Sequence, residues 1–357
     1  MASSLNNPWQ GHPAWQEWMT NLMGGVSQQS LAADSGSTFP PDRFYCLLDD
    51  LPLHLIPQPA LRALRRQNGE SQRLFLNPDC IFFPGTKLPD QLVEEEKLVR
   101  GFARQGTVAW VRDAATSALL PFWIGPRLDA VVRSLRQDEP APPNLDDDAR
   151  MLLSGATILV PENHAALGCR QLEETIGKWG PLFRDAGYAP LRSLIHPFHV
   201  AALRRYYRYR IRTGAIPLGD HQSSKRYVAY NEPVARFFHH SLTPVLSALA
   251  GEPLKPSYVY MASYKSGAEL KKHTDREQCD FSITLCLDFS PEPALETPWP
   301  IRLDTNRGTV AVYQALGDGV AYRGVRLPHY RDRLGEGRTS TSIFFHYVTE
   351  DFTGSLD

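Results

Sequence analysis

Apolar and polar residues alternate in several short segments of the C-terminal half of the chain. In residues 280–288 every second position is apolar, and residues 309–313 and 340–348 follow a similar pattern; the apolar positions of the first segment are Phe281, Ile283, Leu285 and Leu287. A period of two is typical of strands with one buried face. Proline, glycine and asparagine turn signals separate the segments, so the pattern predicts a jelly-roll of antiparallel strands and not a parallel sheet.

A helical pattern precedes these strands at residues 197–212. Its apolar positions have the spacing of one helix face: Val200, Leu203, Tyr206, Tyr207 and Ile211. We expect this helix to support the sheet from outside, with its other face in solvent; that face carries Arg204, Arg205, Arg208 and Arg212. Arginines interleaved with tyrosines also occur on nucleic-acid-binding surfaces. The formal net charge of only −1 argues against wholesale nucleic-acid or membrane binding, so we prefer the solvent-facing interpretation.

The N-terminal part has a different pattern. Residues 1–42 combine Trp9, Trp15 and Trp18 with polar residues, glycine and proline, which predicts an arm packed on the domain that follows. Residues 43–165 alternate helical and extended segments and predict a separate α+β domain, for which substrate recognition is one candidate role. A helix at 168–178 is expected to lead into a partly buried strand from residue 180, the start of a C-terminal domain at 180–357. The predicted fold class is therefore α+β.

Composition places the chain among ordinary globular proteins, with 42% hydrophobic and 22% charged residues. The five cysteines are odd in number and lack Cys-x-x-Cys spacing, and no positively charged start followed by an apolar stretch precedes them. We therefore expect a soluble, cytoplasmic protein with reduced thiols and no signal peptide. The longest apolar run, near residues 118–124, is too short to span a bilayer.

Candidate metal ligands follow a tyrosine-bearing strand and a glycine turn in residues 263–275. His273 and Asp275 are two positions apart, so in a strand both side chains would point to one side. Two histidines and one carboxylate are the ligand set that suits non-haem Fe(II). His329, at the end of Gly-Val-Arg-Leu-Pro-His, is the best candidate for the second histidine.

A candidate anion-binding pair follows the distal histidine. Arg338 comes nine residues after His329, and Ser340 shares a strand face with Arg338. A guanidinium fork beside a hydroxyl suits the carboxylate of a small dianion. A His-x-Asp pair alone is expected about once by chance in a chain of this composition, whereas the full set in order within 80 residues is far more specific.

With these motifs the sequence resembles Fe(II)- and 2-oxoglutarate-dependent oxygenases of the prolyl-4-hydroxylase-like type, over roughly half of the chain from about residue 179. The matching residues are His273-Thr274-Asp275, His329, Arg338-Thr339-Ser340 and Tyr264, the last standing where relatives often have a tyrosine that reaches the co-substrate. Relatives often carry a Gly-Gly-x-Leu strand between the two metal motifs, whereas residues 298–303 read Pro-Trp-Pro-Ile-Arg-Leu. This departure concerns the substrate-facing wall and not the metal site.

The resemblance implies a double-stranded β-helix in which the two histidines and Asp275 bind Fe(II). It implies 2-oxoglutarate and O2 as co-substrates, with the far carboxylate of 2-oxoglutarate on Arg338 and Ser340 and with Tyr264 close by. The implied reaction is hydroxylation of an unactivated C–H bond, with release of succinate and CO2. Because aspartate occupies the carboxylate position, hydroxylation, desaturation or cyclisation is implied in preference to halogenation.

The sequence leaves the substrate open. The N-terminal domain favours a peptide or a carrier-bound natural-product intermediate, and a small free metabolite is the alternative. The polar segment at 214–229 corresponds to a loop that often lies over the substrate in relatives, so Arg226 and Tyr227 are candidates for substrate contact or simply members of a surface loop. No nucleic-acid or membrane partner is expected, and a homodimer is one of the alternatives for the oligomeric state.

Two other functions also remain open. One is a β-helix that binds a ligand or partner without catalysis, which would normally have lost a metal ligand or the anion-binding pair. The other is a zinc protein that uses the same three ligands. The Arg338–Ser340 pair disfavours zinc, because a zinc site has no use for a dicarboxylate clamp.

Overall fold

The computed structural model describes residues 39–68, 73–93, 95–113, 116–137, 139–143, 145–162, 164–220 and 223–357. Most of the predicted N-terminal arm, including Trp9, Trp15 and Trp18, lies outside these residues. The helices are α1 (Gln58–Asn68), α2 (Asp90–Val93), α3 (Pro126–Ser134), α4 (Asp147–Gly155), α5 (His164–Ala186), α6 (Pro197–Arg212) and α7 (Pro233–Ala250). Among the described helices, none is long and apolar enough to cross a membrane.

Fifteen strands lie in the described part of the chain. The first seven are β1 (Phe75–Leu76), β2 (Cys80–Pro84), β3 (Thr107–Arg112), β4 (Leu119–Ile124), β5 (Leu159–Val160), β6 (Tyr188–Leu191) and β7 (Arg226–Tyr230). The other eight are β8 (Leu254–Tyr264), β9 (Leu270–His273), β10 (Phe281–Ser290), β11 (Ile301–Thr305), β12 (Gly308–Val312), β13 (Gly319–Arg323), β14 (His329–Arg331) and β15 (Thr339–Thr349).

Strands β6 to β15 form two sheets. The larger has the order β6-β13-β10-β15-β8-β7 and the smaller the order β12-β11-β14-β9, and every strand pair in them is antiparallel. The chain passes repeatedly from one sheet to the other between β8 and β15. This order is that of a double-stranded β-helix, so the predicted jelly-roll is confirmed.

The N-terminal part packs on the helices behind the larger sheet. It contains the sheet β2-β3-β4 and the pair β1-β5. The ring of Phe44 lies 6.0–6.3 Å from the rings of His199 and Tyr206 on α6 and of Phe238 on α7. One hydrophobic cluster joins these residues to the apolar face of β10, which carries the residues that the alternating pattern predicted to be buried. The boundaries at 43–165 and 180–357 stay a prediction, and the two parts share a core.

Helix α6 differs from the expectation in one respect. Arg204 and Arg208 were predicted to face solvent, and this prediction is wrong, because both are buried and bind Asp288. The pairing of β10 with β15 shifts register between Cys286 and Asp288, which marks a β-bulge. We attribute the contact to this bulge, since a regular strand would orient Asp288 as it orients Cys286, whose side chain lies in the hydrophobic cluster inside the β-helix.

The segment that precedes β6 also differs. A partly buried strand was expected from residue 180, but α5 continues to Ala186 with Pro181 inside it. Phe183 is buried and its ring stacks on Phe281, 6.3 Å away, so packing on the sheet outweighs the helix-breaking tendency of glycine and proline. Gly187, with φ +77°, follows the last helical residue, and β6 begins at the next residue.

Candidate metal centre

Three candidate ligands meet on the smaller sheet. His273 is the last residue of β9 and stands opposite His329, the first residue of β14, in the ladder between these strands. Asp275 follows β9, where its backbone N–H donates to the carbonyl of Gly324 at 2.9 Å. One ligand atom from each of the three side chains lies within 4.8 Å of the others. Strand pairing thus joins two motifs that are more than 50 residues apart in the sequence.

Hydrogen bonds orient both imidazoles. The Nδ1 atom of His273 lies 2.7 Å from the carbonyl oxygen of Lys271, and Nδ1 of His329 lies 2.9 Å from that of Leu327. A carbonyl oxygen only accepts, so each Nδ1 carries a proton, and Nε2 is the atom of each ring that can offer a lone pair to a metal ion. Both Nε2 atoms are 3.5 Å from Oδ1 of Asp275. Two imidazole lone pairs and a carboxylate oxygen therefore point to one place, which fits a divalent metal ion such as Fe(II).

The two imidazoles of the candidate metal centre differ in their exposure to solvent. The side chain of His329 is 2% exposed, whereas that of His273 is 39% exposed. Burial by itself would raise the pKa of Asp275, but contacts with His273 and His329 outweigh burial and hold this pKa well below its usual range. Asp275 is therefore ionised and suited to a cation.

Two further groups lie beside Asp275. Cys279 and His346 form with it a second set of three groups close enough to share a metal ion. Burial lowers the pKa of His346 to about 4 although the charge of Asp275 opposes this shift, so its imidazole is neutral; its Nδ1 lies 2.8 Å from Oγ of Ser282. Burial, with the charge of Asp275, raises the pKa of Cys279 to about 12. His346 lies two residues after Phe344 in β15, and only the tertiary structure brings it to Asp275.

A cavity of about 510 Å³ opens onto the three candidate ligands. Its aromatic lining residues are Tyr230, Tyr258, Tyr260, Tyr264, Tyr322 and Phe344. Arg226 also lines it and forms a salt bridge of 2.6 Å with Asp220. Its neighbour in sequence, Tyr227, points to the other face of β7 and belongs to the hydrophobic core. Of the two candidates for substrate contact, the structure brings Arg226 to the cavity and not Tyr227.

The predicted anion-binding residues lie at the start of β15. Ser340 is buried and stands opposite Tyr264, which lines the cavity. Arg338 precedes the strand, is partly exposed, and is not among the described residues that line the cavity. The assignment of Arg338 to the co-substrate therefore stays a prediction.

Sequence reasoning missed a second arginine. Arg331 is 4% exposed and lies two residues after His329 on the same face of β14, the face opposite to the half-buried Tyr330. Its guanidinium lies over the ring of Trp299, 4.9 Å away, in the segment that replaces the expected Gly-Gly-x-Leu strand. The two-residue spacing within a strand, which linked His273 to Asp275, could also have linked Arg331 to His329.

Comparisons with known proteins give structural matches only. No protein-family model matches the sequence, and no curated protein matches it. Among solved structures, the non-heme alpha-ketoglutarate-dependent carbocyclase SnoK from nogalamycin biosynthesis is 13% identical, with a TM-score of 0.44 over 52% of this chain and 88% of SnoK. A Pseudomonas putida prolyl-4-hydroxylase is 17% identical, with a TM-score of 0.39 over 48% of this chain and 99% of that one.

A third match is HygX from Streptomyces hygroscopicus, solved with nickel, 2-oxoglutarate and hygromycin B, at 12% identity and a TM-score of 0.39 over 49% of this chain and 88% of HygX. These matches span about half of this chain. The strand order and the convergence of His273, Asp275 and His329 identify the C-terminal half as a double-stranded β-helix with a candidate metal centre.

Proposed function

We propose that this protein is an Fe(II)- and 2-oxoglutarate-dependent oxygenase that hydroxylates a C–H bond of its substrate. The observation that carries the proposal is the donor set of His273, Asp275 and His329. Both imidazoles are held by backbone carbonyls so that Nε2 faces the same carboxylate oxygen. A facial set of three such ligands leaves coordination positions for small molecules.

When bound, Fe(II) with 2-oxoglutarate and O2 supplies the oxidising chemistry, and succinate and CO2 are released. His273, Asp275 and His329 would hold the metal, and ionised Asp275 would offset part of its charge. Tyr264, which is buried and lines the cavity, would contact the co-substrate. Phe344, from the hydrophobic cluster inside the β-helix, lines the same cavity and limits the access of bulk water.

The cavity supports a small substrate. Its volume of about 510 Å³ lies within the usual range for small-molecule pockets, about 300–1,000 Å³. Its aromatic lining suits an apolar or planar group. None of the described residues before Asp220 lines it, and the N-terminal part packs on α6 and α7 instead. These observations favour a small molecule over a peptide recognised by the N-terminal part, which then serves stability.

The test is anaerobic addition of Fe(II) and 2-oxoglutarate to the metal-free protein, monitored by the weak visible charge-transfer band of the chelate. We expect the band with the wild-type protein and its loss in His329→Ala and Asp275→Ala. Under air, the wild-type protein should convert 2-oxoglutarate into succinate slowly even without substrate. Iron binding without a chelate band would contradict the proposal, and tight Zn²⁺ binding with no response to 2-oxoglutarate would support the zinc alternative.

A further inference from the structure

The interior of the β-helix contains a buried guanidinium without a carboxylate partner. Arg331 is 4% exposed, and among the described residues no aspartate or glutamate forms an ion pair with it. By contrast, the buried Arg204, Arg208 and Arg226 each pair with a carboxylate. Arginine stays protonated even when buried, and a buried charge is costly unless an opposite charge compensates it. This pattern indicates that the anion comes from a ligand.

Hydrogen bonds orient the guanidinium of Arg331 but do not use all of its N–H donors. Nη1 donates to the carbonyl of Trp299 at 2.5 Å and Nη2 donates to Oε1 of Gln314 at 3.0 Å. Nε is buried and has no hydrogen-bond partner among the described residues. A guanidinium has five N–H donors in a rigid fork, so this one is oriented by two neutral acceptors and retains donors for a carboxylate.

Other unpaired polar groups lie on the same interior walls. Oγ1 of Thr284 and Oγ of Ser342 are buried without partners among the described residues. Thr284 shares a face of β10 with Cys286, and Ser342 stands opposite Cys286 in the ladder to β15. Burial lowers the pKa of Arg331, and Cys286 and Tyr264 lie close enough to the guanidinium to influence this pKa. Buried polar atoms are normally hydrogen-bonded, so several unpaired atoms in one region indicate a site for a polar ligand.

The spacing from the metal centre fits a short dianion. His329 and Arg331 are two residues apart on one face of β14, and the register shift between them places its extra residue in β9, so their Cα atoms are about 6–7 Å apart. Tyr264 borders both regions, because it lines the cavity and its ring packs on Trp299 at 5.2 Å. A 2-oxo acid bound to a metal at His329 would therefore direct a second carboxylate towards Arg331.

We propose that Arg331, not Arg338, binds the distal carboxylate of the 2-oxo dicarboxylate co-substrate, with Tyr264 beside it. This inference rests on the proposed function, because it assumes that a 2-oxo acid binds the metal. Arg331 would then be the residue that selects a 2-oxo dicarboxylate over a 2-oxo acid with a single carboxylate. Neither arginine is among the described residues that line the cavity itself, so burial distinguishes them. Arg331 is buried against Trp299, next to Tyr264, whereas Arg338 is partly exposed and solvent compensates its charge.

The test compares Arg331→Met with the matched control Arg338→Met. Each Fe(II)-loaded protein is titrated anaerobically with 2-oxoglutarate and with 2-oxopentanoate, which has the same chain length but one carboxylate, and the chelate band reports binding. In Arg331→Met we expect 2-oxoglutarate affinity to fall between about tenfold and a few hundredfold, the range for lost hydrogen bonds to a charged group. Affinity for 2-oxopentanoate should change less than about threefold, so the preference for the dicarboxylate is lost. Arg338→Met should keep both affinities.

Thermal unfolding of the metal-free proteins separates binding from structure. If Arg331 is an anion site, Arg331→Met should change the midpoint little, because removal of an uncompensated buried charge offsets the loss of the hydrogen bonds to Trp299 and Gln314. If the Met variant does not fold, Arg331→Lys decides: it should fold and reduce the preference for the dicarboxylate, since an ammonium cannot bind as a fork.

Two outcomes would overturn the assignment. One is a full preference for 2-oxoglutarate in the Arg331 variants together with its loss in Arg338→Met. The other is a lowered unfolding midpoint with unchanged 2-oxoglutarate affinity, which would show that Arg331 only holds Trp299 and Gln314. Absence of the band from the wild-type protein is a different failure, because it removes the proposed function itself.

Discussion

Replacement of Asp288 by asparagine tests the buried ion network that attaches α6 to the larger sheet. Asp288 is 2% exposed and accepts hydrogen bonds of 2.7 and 2.9 Å from Arg208 and of 2.9 Å from Arg204. Arg204 has further acceptors in Glu292 and the carbonyl of Leu55. For Arg208, Asp288 is the one ion-pair partner in the described part of the chain. The variant would leave Arg208 buried without an opposite charge.

The expected loss follows from these contacts. Breaking one side of a buried ion pair costs about 3–5 kcal/mol of the free energy of unfolding. Asparagine still offers one acceptor and Arg204 keeps two other partners, so we expect the lower end, about 3 kcal/mol. Control Glu96→Gln removes the surface ion pair with Arg104 and should cost less than about 1 kcal/mol.

The pH dependence has a defined sign. Burial by itself would raise the pKa of Asp288, but the charges of Arg204 and Arg208 outweigh burial and lower this pKa below its ordinary value of 3.8. A group whose pKa is lowered by folding stabilises the folded state above the ordinary pKa, and this contribution is lost as the pH falls through the folded pKa. The difference between wild type and Asp288→Asn should therefore be equal at pH 7 and pH 5 and shrink only below about pH 3.8.

Urea unfolding followed by tryptophan fluorescence at pH 7 and pH 5 measures these differences. Two results would refute the reasoning: a loss in Asp288→Asn no larger than that in Glu96→Gln, or a loss that already shrinks between pH 7 and pH 5. Either would mean that Arg204 and Arg208 do not depend on a buried, ionised carboxylate.

Three further predictions concern the metal centre. In Gly324→Ala the new Cβ would overlap both the backbone oxygen of Cys279 and Oδ2 of Asp275, so metal affinity measured by chelator competition should fall. The control Gly177→Ala has open space around the new Cβ and should keep wild-type affinity, and equal affinities of the two variants would contradict the contact. His329→Ala should weaken Fe(II) binding at least about a hundredfold in the same assay, and a loss below tenfold would argue against His329 as a ligand. Tyr264→Phe should weaken 2-oxoglutarate binding about three- to tenfold in anaerobic titrations without changing Fe(II) affinity, and an unchanged affinity would exclude a hydrogen bond from its hydroxyl.

Local spacing in the sequence was enough to predict the strands and to bring together two of the three candidate metal ligands. Alternation in residues 280–288 predicted the buried face of β10, because side chains in a strand alternate with a period that depends only on backbone geometry. The same period predicted that His273 and Asp275 point the same way; Asp275 lies just beyond the end of β9, and its Oδ1 is 3.5 Å from Nε2 of His273. Their pairing with His329 came from the order of motifs along the chain, and the ladder between β9 and β14 brings the three side chains to one place.

Register and packing decided what spacing could not. A bulge in β10 precedes Asp288, where this strand contacts α6. Arg204 and Arg208 are therefore buried against Asp288, although the sequence predicted that they face solvent. No local sequence pattern marks such a bulge. Likewise, the sequence alone does not distinguish Arg338 from Arg331. In the structure Arg338 precedes β15 and is partly exposed, whereas Arg331 on β14 is buried inside the β-helix. Short-range geometry thus determined which side chains point the same way along a strand. Only the tertiary structure decided which of them are buried together, because burial depends on the strands and helices that pack around them.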